Sequence, residues 1–295
     1  MRRYPEFHIV DVFAETRYSG NQLAVFRHAE HLTPQQMQLL AREVNFSETT
    51  FILEESPTAG VFPVRIFTPL TEIPFAGHPT LGTAFVVQQT VLQKPVPQVT
   101  LALPVGLIPV AFEYEAQSPE RLWMRQKPPD FGEMVDKELV ARALGLTIEE
   151  VGEPPPQVVS TGLPFIIAPL TNETALRRAR LTREPELLAP LPVKAFLLFC
   201  RQPLSPENHL RVRVFAHEYG VPEDPATGSA NGCLAAYLVH HALFGSKQID
   251  IRVEQGHEVG RPSLLFLRAA QRGELVTVEV GGRVIPVARG ELVVE

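Results

Sequence analysis

The sequence predicts an α+β fold of two pseudo-symmetric lobes, each an antiparallel sheet around a central helix. Three observations carry this. A short device occurs twice, as IPFAGHPTLGTAF over residues 73–85 and as VPEDPATGSANGCLAA over residues 221–236. Strand-like runs outnumber helix-like runs along the chain. Two segments, 79–89 and 230–242, are apolar almost all round and follow the two copies of the device. A helix without a polar face must be covered on every side.

Taken in order, strands are expected at 7–13, 23–26, 50–53 and 61–67, the last with the alternation Val64-Arg65-Ile66-Phe67 of a half-buried strand. Between the second and third, Thr33-Pro34-Gln35-Gln36 is a capped helix start with proline in its first turn. Strands at 99–103, 106–114 and 121–125 follow the buried helix of the first half. In the second half, 136–145 and 171–179 read as amphipathic, peripheral helices, and 211–215 alternates as a strand. Strands at 249–255, 264–269, 275–280 and 283–287 come after the second buried helix. A second pairing supports duplication: Ser19-Gly20 precedes the apolar run 23–26, as Thr161-Gly162 precedes 163–168. Similar spacings between the paired glycines imply a repeated half of about 145 residues. The expected lobes are 1–118, which 284–295 can complete, and 119–283, with linker candidates at 115–120 and 126–131.

Composition narrows the function classes. A chain of 295 residues exceeds the usual single core. A net charge of −6 without a Lys/Arg run argues against a nucleic-acid surface; the one basic cluster, Arg177-Arg178-Ala179-Arg180, reads as a solvated helix face. No apolar run approaches the ~20 residues of a membrane span, and the first residues lack the apolar centre of a secretory signal. Cys200 and Cys233, the two cysteines, form neither a disulfide framework nor a ligand spacing. The expected compartment is the cytoplasm.

The chemistry-bearing residues gather at the repeats. In each copy a glycine, Gly77 or Gly228, lets backbone approach a ligand, and the helix start behind it offers unpaired N–H groups to an anion. A small carboxylate is therefore the expected ligand. His78 follows Gly77 at a helix start, where the dipole disfavours its protonation, so that a neutral imidazole is placed to donate to a substrate. Asp224 and Ser229 hold the second copy. Glu48, in Asn45-Phe46-Ser47-Glu48-Thr49-Thr50-Phe51, is flanked by phenylalanines, and an apolar surround raises the proton affinity of a carboxylate toward that of a general acid/base. Each has a plainer reading taken singly: a capping or loop glutamate, a core histidine, a turn aspartate, a helix-start hydroxyl.

At this point the chain resembles the PhzF-like (phenazine biosynthesis) isomerases. The matching stretches are Asp11-Val12-Phe13 with residues 20–26, the Glu48 segment, Phe67-Thr68-Pro69 with residues 72–80, Ser160-Thr161-Gly162, and residues 223–232. Gln22 departs from the proline common there. The resemblance implies a diaminopimelate-epimerase-like fold of two curled lobes with the site in the cleft between them. It further implies homodimers that need no metal or organic cofactor. The type reaction isomerises trans-2,3-dihydro-3-hydroxyanthranilate by moving a hydrogen across the ring. Glu48 matches the proton-transferring glutamate of the family. His78, Asp224 and Ser229 match substrate contacts, and Gly77 and Gly228 match backbone positions near the substrate carboxylate. Related racemases use two facing thiols; here Ala76 and Thr227 precede the glycines, and neither cysteine is adjacent. The expectation is a cofactor-independent isomerase of a small carboxylic acid. The alternatives are an amino-acid epimerase or racemase on the same fold, and a non-catalytic acid-binding protein.

Overall fold

The computed structural model describes residues 5–57, 59–217 and 221–293. The chain divides into two compact units, residues 1–124 with 281–295, and residues 125–280.

The first unit opens with β1 (Glu6–Val12) and β2 (Asn21–Arg27), then α1 (Pro34–Val44), β3 (Thr49–Ile52), β4 (Val61–Phe67) and β5 (Glu72–Ile73). Helix α2 (Gly77–Val86) follows, and β6 (Gln98–Leu103), β7 (Gly106–Glu115) and β8 (Ser118–Arg125) complete the run. Its sheet is mostly antiparallel: β1 with β2, β3 with β4, β6 with β7 and β7 with β8. Two pairings are parallel, β2 with β3 and β4 with β6, and at each the chain crosses over through a helix, as parallel neighbours require. Far along the sequence, β18 (Val284–Glu291) returns to pair antiparallel with β1.

The second unit repeats this order. It contains β9 (Asp130–Met134), α3 (Lys137–Leu144), β10 (Gln157–Ser160), β11 (Pro164–Pro169), α4 (Glu173–Arg178) and α5 (Pro185–Leu188). Next come β12 (Phe196–Cys200), β13 (Leu210–Ala216), β14 (Val221–Asp224), α6 (Gly228–His240), β15 (Gln248–Gln255), β16 (Ser263–Arg272) and β17 (Leu275–Gly282). Its parallel pairings fall at the matching places, β11 with β12 and β13 with β15.

Local chemistry sets the elements. The capped start expected at Thr33 takes the form of a capping box: its hydroxyl accepts from Gln36 N, and the Gln36 side chain accepts from Thr33 N. Proline supplies the preset φ of the first turn. Helix α1 ends on Asn45 in the left-handed conformation, with its N–H bonded to Ala41 O. One face of α1, through Met37, Leu40 and Ala41, packs on Phe26, Phe51 and Phe67 of the sheet. Phe26 stacks on Phe51 at 5.0 Å, and Phe67 meets Phe51 edge-on at 5.5 Å. Burying each ring stabilises the unit by about 1.5–3 kcal/mol. Where the sequence predicts a peripheral helix over 136–145, α3 runs between an Asp136 cap and a left-handed Gly145.

Every residue of α2 is buried, in keeping with its lack of a polar face. It lies so close to the sheet that a Cβ on Gly82 would sit 2.5 Å from Leu23 Cδ2. The expected helix over 79–89 begins two residues earlier and passes into a π-helical stretch, Val87–Leu92. There the Thr90 hydroxyl takes the Val86 carbonyl at 2.7 Å, drawing off an acceptor of the α-helical ladder. Among the described residues no helix is long and apolar enough to cross a membrane.

Candidate active site

The structure places the predicted residues in two half-sites, one per unit, each at the start of a buried helix. Glu48, His78 and Gly77 belong to the first; Asp224, Gly228 and Ser229 belong to the second. In both, a short strand (β5 or β14) leads to a residue in extended conformation, Ala76 or Thr227, and the helix begins on the glycine. Neither N-cap side chain closes its own helix by a hydrogen bond.

In the first half-site the left-handed Asn45 turns the chain out of α1, and Glu48 lies three residues on, immediately before β3. Its Oε2 is 3.4 Å from Nε2 of His78, the second residue of α2. His78 is buried, and desolvation pushes its pKa down to about 3 against a partly offsetting hydrogen bond to the Gln22 backbone. The imidazole is therefore neutral, and its contact with Glu48 is not an ion pair. Burial, rather than the helix dipole invoked from sequence, is the leading cause.

Among the described residues Nε2 has no hydrogen-bond partner. Gln22 itself lies on β2, opposite Asp11 of β1, whose buried carboxylate takes the Tyr18 N–H at 2.6 Å and shapes the intervening loop. The contact of His78 is with the Gln22 backbone, not with its side chain. The flanking phenylalanines do other work: Phe51 belongs to the cluster under α1, and Phe46 packs against it.

The second half-site is a hydrogen-bonded knot. The Thr227 hydroxyl donates to Asp224 Oδ2 at 2.5 Å. Asp224 is nearly buried. Asn231 Nδ2 donates to the Thr227 carbonyl at 3.0 Å and to Gln255 Oε1 at 2.8 Å. Ser229 is half-buried in the first turn of α6, its carbonyl facing the Thr161 hydroxyl at 3.5 Å. Its own hydroxyl has no hydrogen bond among the described residues. Sequence reasoning passed over Gln255 and the role of Thr227. The available signal was weak: a glutamine at a strand end followed by glycine.

Cys233 is fully buried one turn further along α6, near Thr161 Oγ1 at 3.6 Å and the Leu163 carbonyl at 3.7 Å. Burial pushes its pKa up to about 11, so almost no thiolate forms near neutral pH. Among the described residues no group of three or more His, Cys, Asp or Glu side chains is arranged to hold a metal ion.

Comparison with known proteins places these features in context. The family model described as phenazine biosynthesis-like protein matches residues 10–290. Trans-2,3-dihydro-3-hydroxyanthranilate isomerase of Pseudomonas fluorescens is 36% identical over 292 residues, covering 97% of this chain and 98% of that protein. An uncharacterized isomerase of Pasteurella multocida is 37% identical over 301 residues, covering 98% and 94%. The crystal structure of a PhzF-family phenazine biosynthesis protein from Bacillus anthracis superposes with a TM-score of 0.89 at 25% identity, covering 99% of this chain and 100% of that one. A probable proline racemase from Agrobacterium radiobacter shares the fold at 12% identity and TM-score 0.62, covering 99% and 93%.

Proposed function

The chain belongs to the phenazine biosynthesis-like (PhzF) family of isomerases, and on that premise we propose that it shifts a hydrogen within a small unsaturated carboxylic acid by acid/base catalysis through Glu48, without a cofactor. The substrate class is that of trans-2,3-dihydro-3-hydroxyanthranilate, the compound named for the Pseudomonas relative. The observation that carries the reading is the 3.4 Å approach of Glu48 to a neutral, buried His78. A neutral imidazole beside the carboxyl group can share a proton with it without locking it in an ion pair. Glu48 as carboxylate takes a proton from one carbon of the conjugated system. As carboxylic acid it returns that proton at the other end, so no oxidant or reductant enters. His78, Asp224 and Ser229 contact the substrate, and the backbone at Gly77 and Gly228 receives its carboxylate.

A racemase reading asks for thiols at positions 76 and 227, where alanine and threonine stand. The buried, protonated Cys233 gives it no support. We further propose that the protein works as a cytoplasmic homodimer, on the family resemblance.

The test is Glu48→Gln assayed with trans-2,3-dihydro-3-hydroxyanthranilate in deuterated water. Turnover and deuterium incorporation should fall by about 10²–10⁴-fold. Binding of 3-hydroxyanthranilate, the aromatic counterpart that cannot undergo the shift, should persist in calorimetry. Undiminished turnover in Glu48→Gln, or dependence on an added metal, removes this reading.

A further inference from the structure

Gln255, the last residue of β15, is fully excluded from solvent beneath the second half-site. Its amide is saturated. Nε2 donates to the Asp224 carbonyl at 2.8 Å and to Thr227 Oγ1 at 3.1 Å. Oε1 accepts from Thr227 N at 3.2 Å and from Asn231 Nδ2 at 2.8 Å. This pattern fixes the orientation of the amide, since exchanging N and O would set its N–H groups against two other donors.

The direction of the chain of bonds follows. Thr227 Oγ1 receives a proton from Gln255 Nε2, which can only donate, so the hydroxyl proton goes to Asp224 Oδ2. That oxygen is held as an acceptor. The adjoining Gly256 permits the approach: at φ +80°, an added Cβ would lie 2.5 Å from the Pro225 carbonyl and 2.2 Å from that of Arg261.

We propose that Gln255 is a positioning residue for the reaction, acting through Thr227 to present Asp224 in one orientation and one protonation pattern at the start of α6. The inference rests on the reading of Asp224 as a substrate contact. Three charged groups on the surrounding strands, Arg213, Arg211 and Glu254, have bonds to other partners. Arg213 of β13 holds Glu223 through two bonds of 2.8 Å. Arg211 holds Glu173 and Glu258. Glu254, beside Gln255, takes the Leu204 and Ser205 N–H groups and Asn208, with His257 at 3.9 Å. His217 follows β13, its ring edge-on to Phe215. The amide–hydroxyl–carboxylate relay is thus the described contact of Gln255 that reaches the Asp224 side chain.

The experiment compares Gln255→Met, Thr227→Val and Thr227→Ser with the unaltered protein for kcat, KM and the pH dependence of kcat. Gln255→Met and Thr227→Val should each lower kcat by about 10–100-fold. Removing a donor from Asp224 should also move the acidic limb of the profile upward by roughly one pH unit. Thr227→Ser, which restores the hydroxyl, should recover both. The double variant should be little worse than the poorer single one, because the two residues act in series. Should Gln255→Met not fold, Thr227→Val against Thr227→Ser decides alone. A lower melting temperature with an unmoved pH limb and unmoved kcat assigns Gln255 to stability only and overturns the proposal, as does full activity in both variants while Asp224→Asn is inactive. Full activity in Asp224→Asn removes the reading of the site itself.

Discussion

The two half-sites share a backbone plan and divide the chemistry. Both put a glycine at the first position of a buried helix behind a short strand. In the first unit the side chains at that place are a glutamate and a neutral imidazole 3.4 Å apart. In the second they are an aspartate, a threonine, an asparagine and a glutamine joined through the Gln255 amide by hydrogen bonds. The first arrangement holds a buried ring nitrogen with no hydrogen bond among the described residues and suits a proton that must move. The second leaves little slack and suits a group that must stay put. Duplication supplied two equivalent frames, and the residues filling them differ in whether their protons are committed.

The comparison breaks most visibly at its two carboxylates. Glu48→Gln should lose turnover and keep binding, as stated above. Asp224→Asn should damage both: KM for trans-2,3-dihydro-3-hydroxyanthranilate should rise by about 10-fold and kcat fall by about 10²-fold, read by steady-state kinetics. If the two variants lose kcat and KM in the same proportions, the division of labour is wrong.

Stability gives the next largest effect. Gly256→Ala introduces a side chain at positive φ against two backbone carbonyls and should destabilise the protein by about 1–3 kcal/mol in urea denaturation. Gly162→Ala, also at positive φ but with nothing within 4 Å, should cost less. Equal losses at the two positions would mean that backbone strain alone, without close packing of the Pro225 loop, accounts for the result.

Acid sensitivity sharpens the first half-site. The folded-state pKa of His78, about 3, lies below its unfolded value of roughly 6.5. The unfolded chain therefore binds the proton more readily between these limits, and stability falls as pH drops from 6.5 toward 3 by up to about 1.4 kcal/mol per unit. His8, His240, His241 and His257 are shifted in the same direction, so the informative quantity is the difference between the unaltered protein and His78→Gln. That variant should show a shallower loss between pH 6.5 and 4.5. Parallel slopes would indicate an imidazole that is not buried neutral.

The smallest expected effect is at Cys233. Cys233→Ser should retain turnover within about 2-fold, since a thiol held near pKa 11 supplies no nucleophile. Inactivity there, beside an active Glu48→Gln, would exchange the carboxylate for a thiol mechanism.

Much of the architecture is legible in the sequence because its signals are local. The capping box at Thr33, proline at position 34, and the Asp136 and Gly145 ends of α3 each act within a few residues. The two helix starts could be read from a glycine, a polar neighbour and an all-apolar run. The parallel pairings of β2 with β3 and β4 with β6 were not legible, because strand direction depends on a crossover rather than on alternation. Nor was the cause of the His78 shift: a helix start is visible in a sequence, whereas complete burial needs the strands above it. Gln255 illustrates the limit. Its partners lie 24 to 31 residues away, and nothing in the local pattern distinguishes it from an ordinary strand-end glutamine.

The return of β18 to β1 has a consequence for synthesis on the ribosome. Until the chain reaches residue 284, β1 has β2 on one side and an open edge on the other. Making the intervening second unit, residues 125–280, takes roughly 8–30 s at 5–20 residues per second. For that interval the nascent first unit exposes unpaired N–H and C=O groups beside a half-built sheet, an invitation to pair with another nascent chain. The alternating register of β18, with Glu291 opposite Glu6 and Arg289 opposite His8, ends that vulnerability last. A shortage of chaperone capacity should therefore harm the yield of this protein before any loss of its folded stability is detectable.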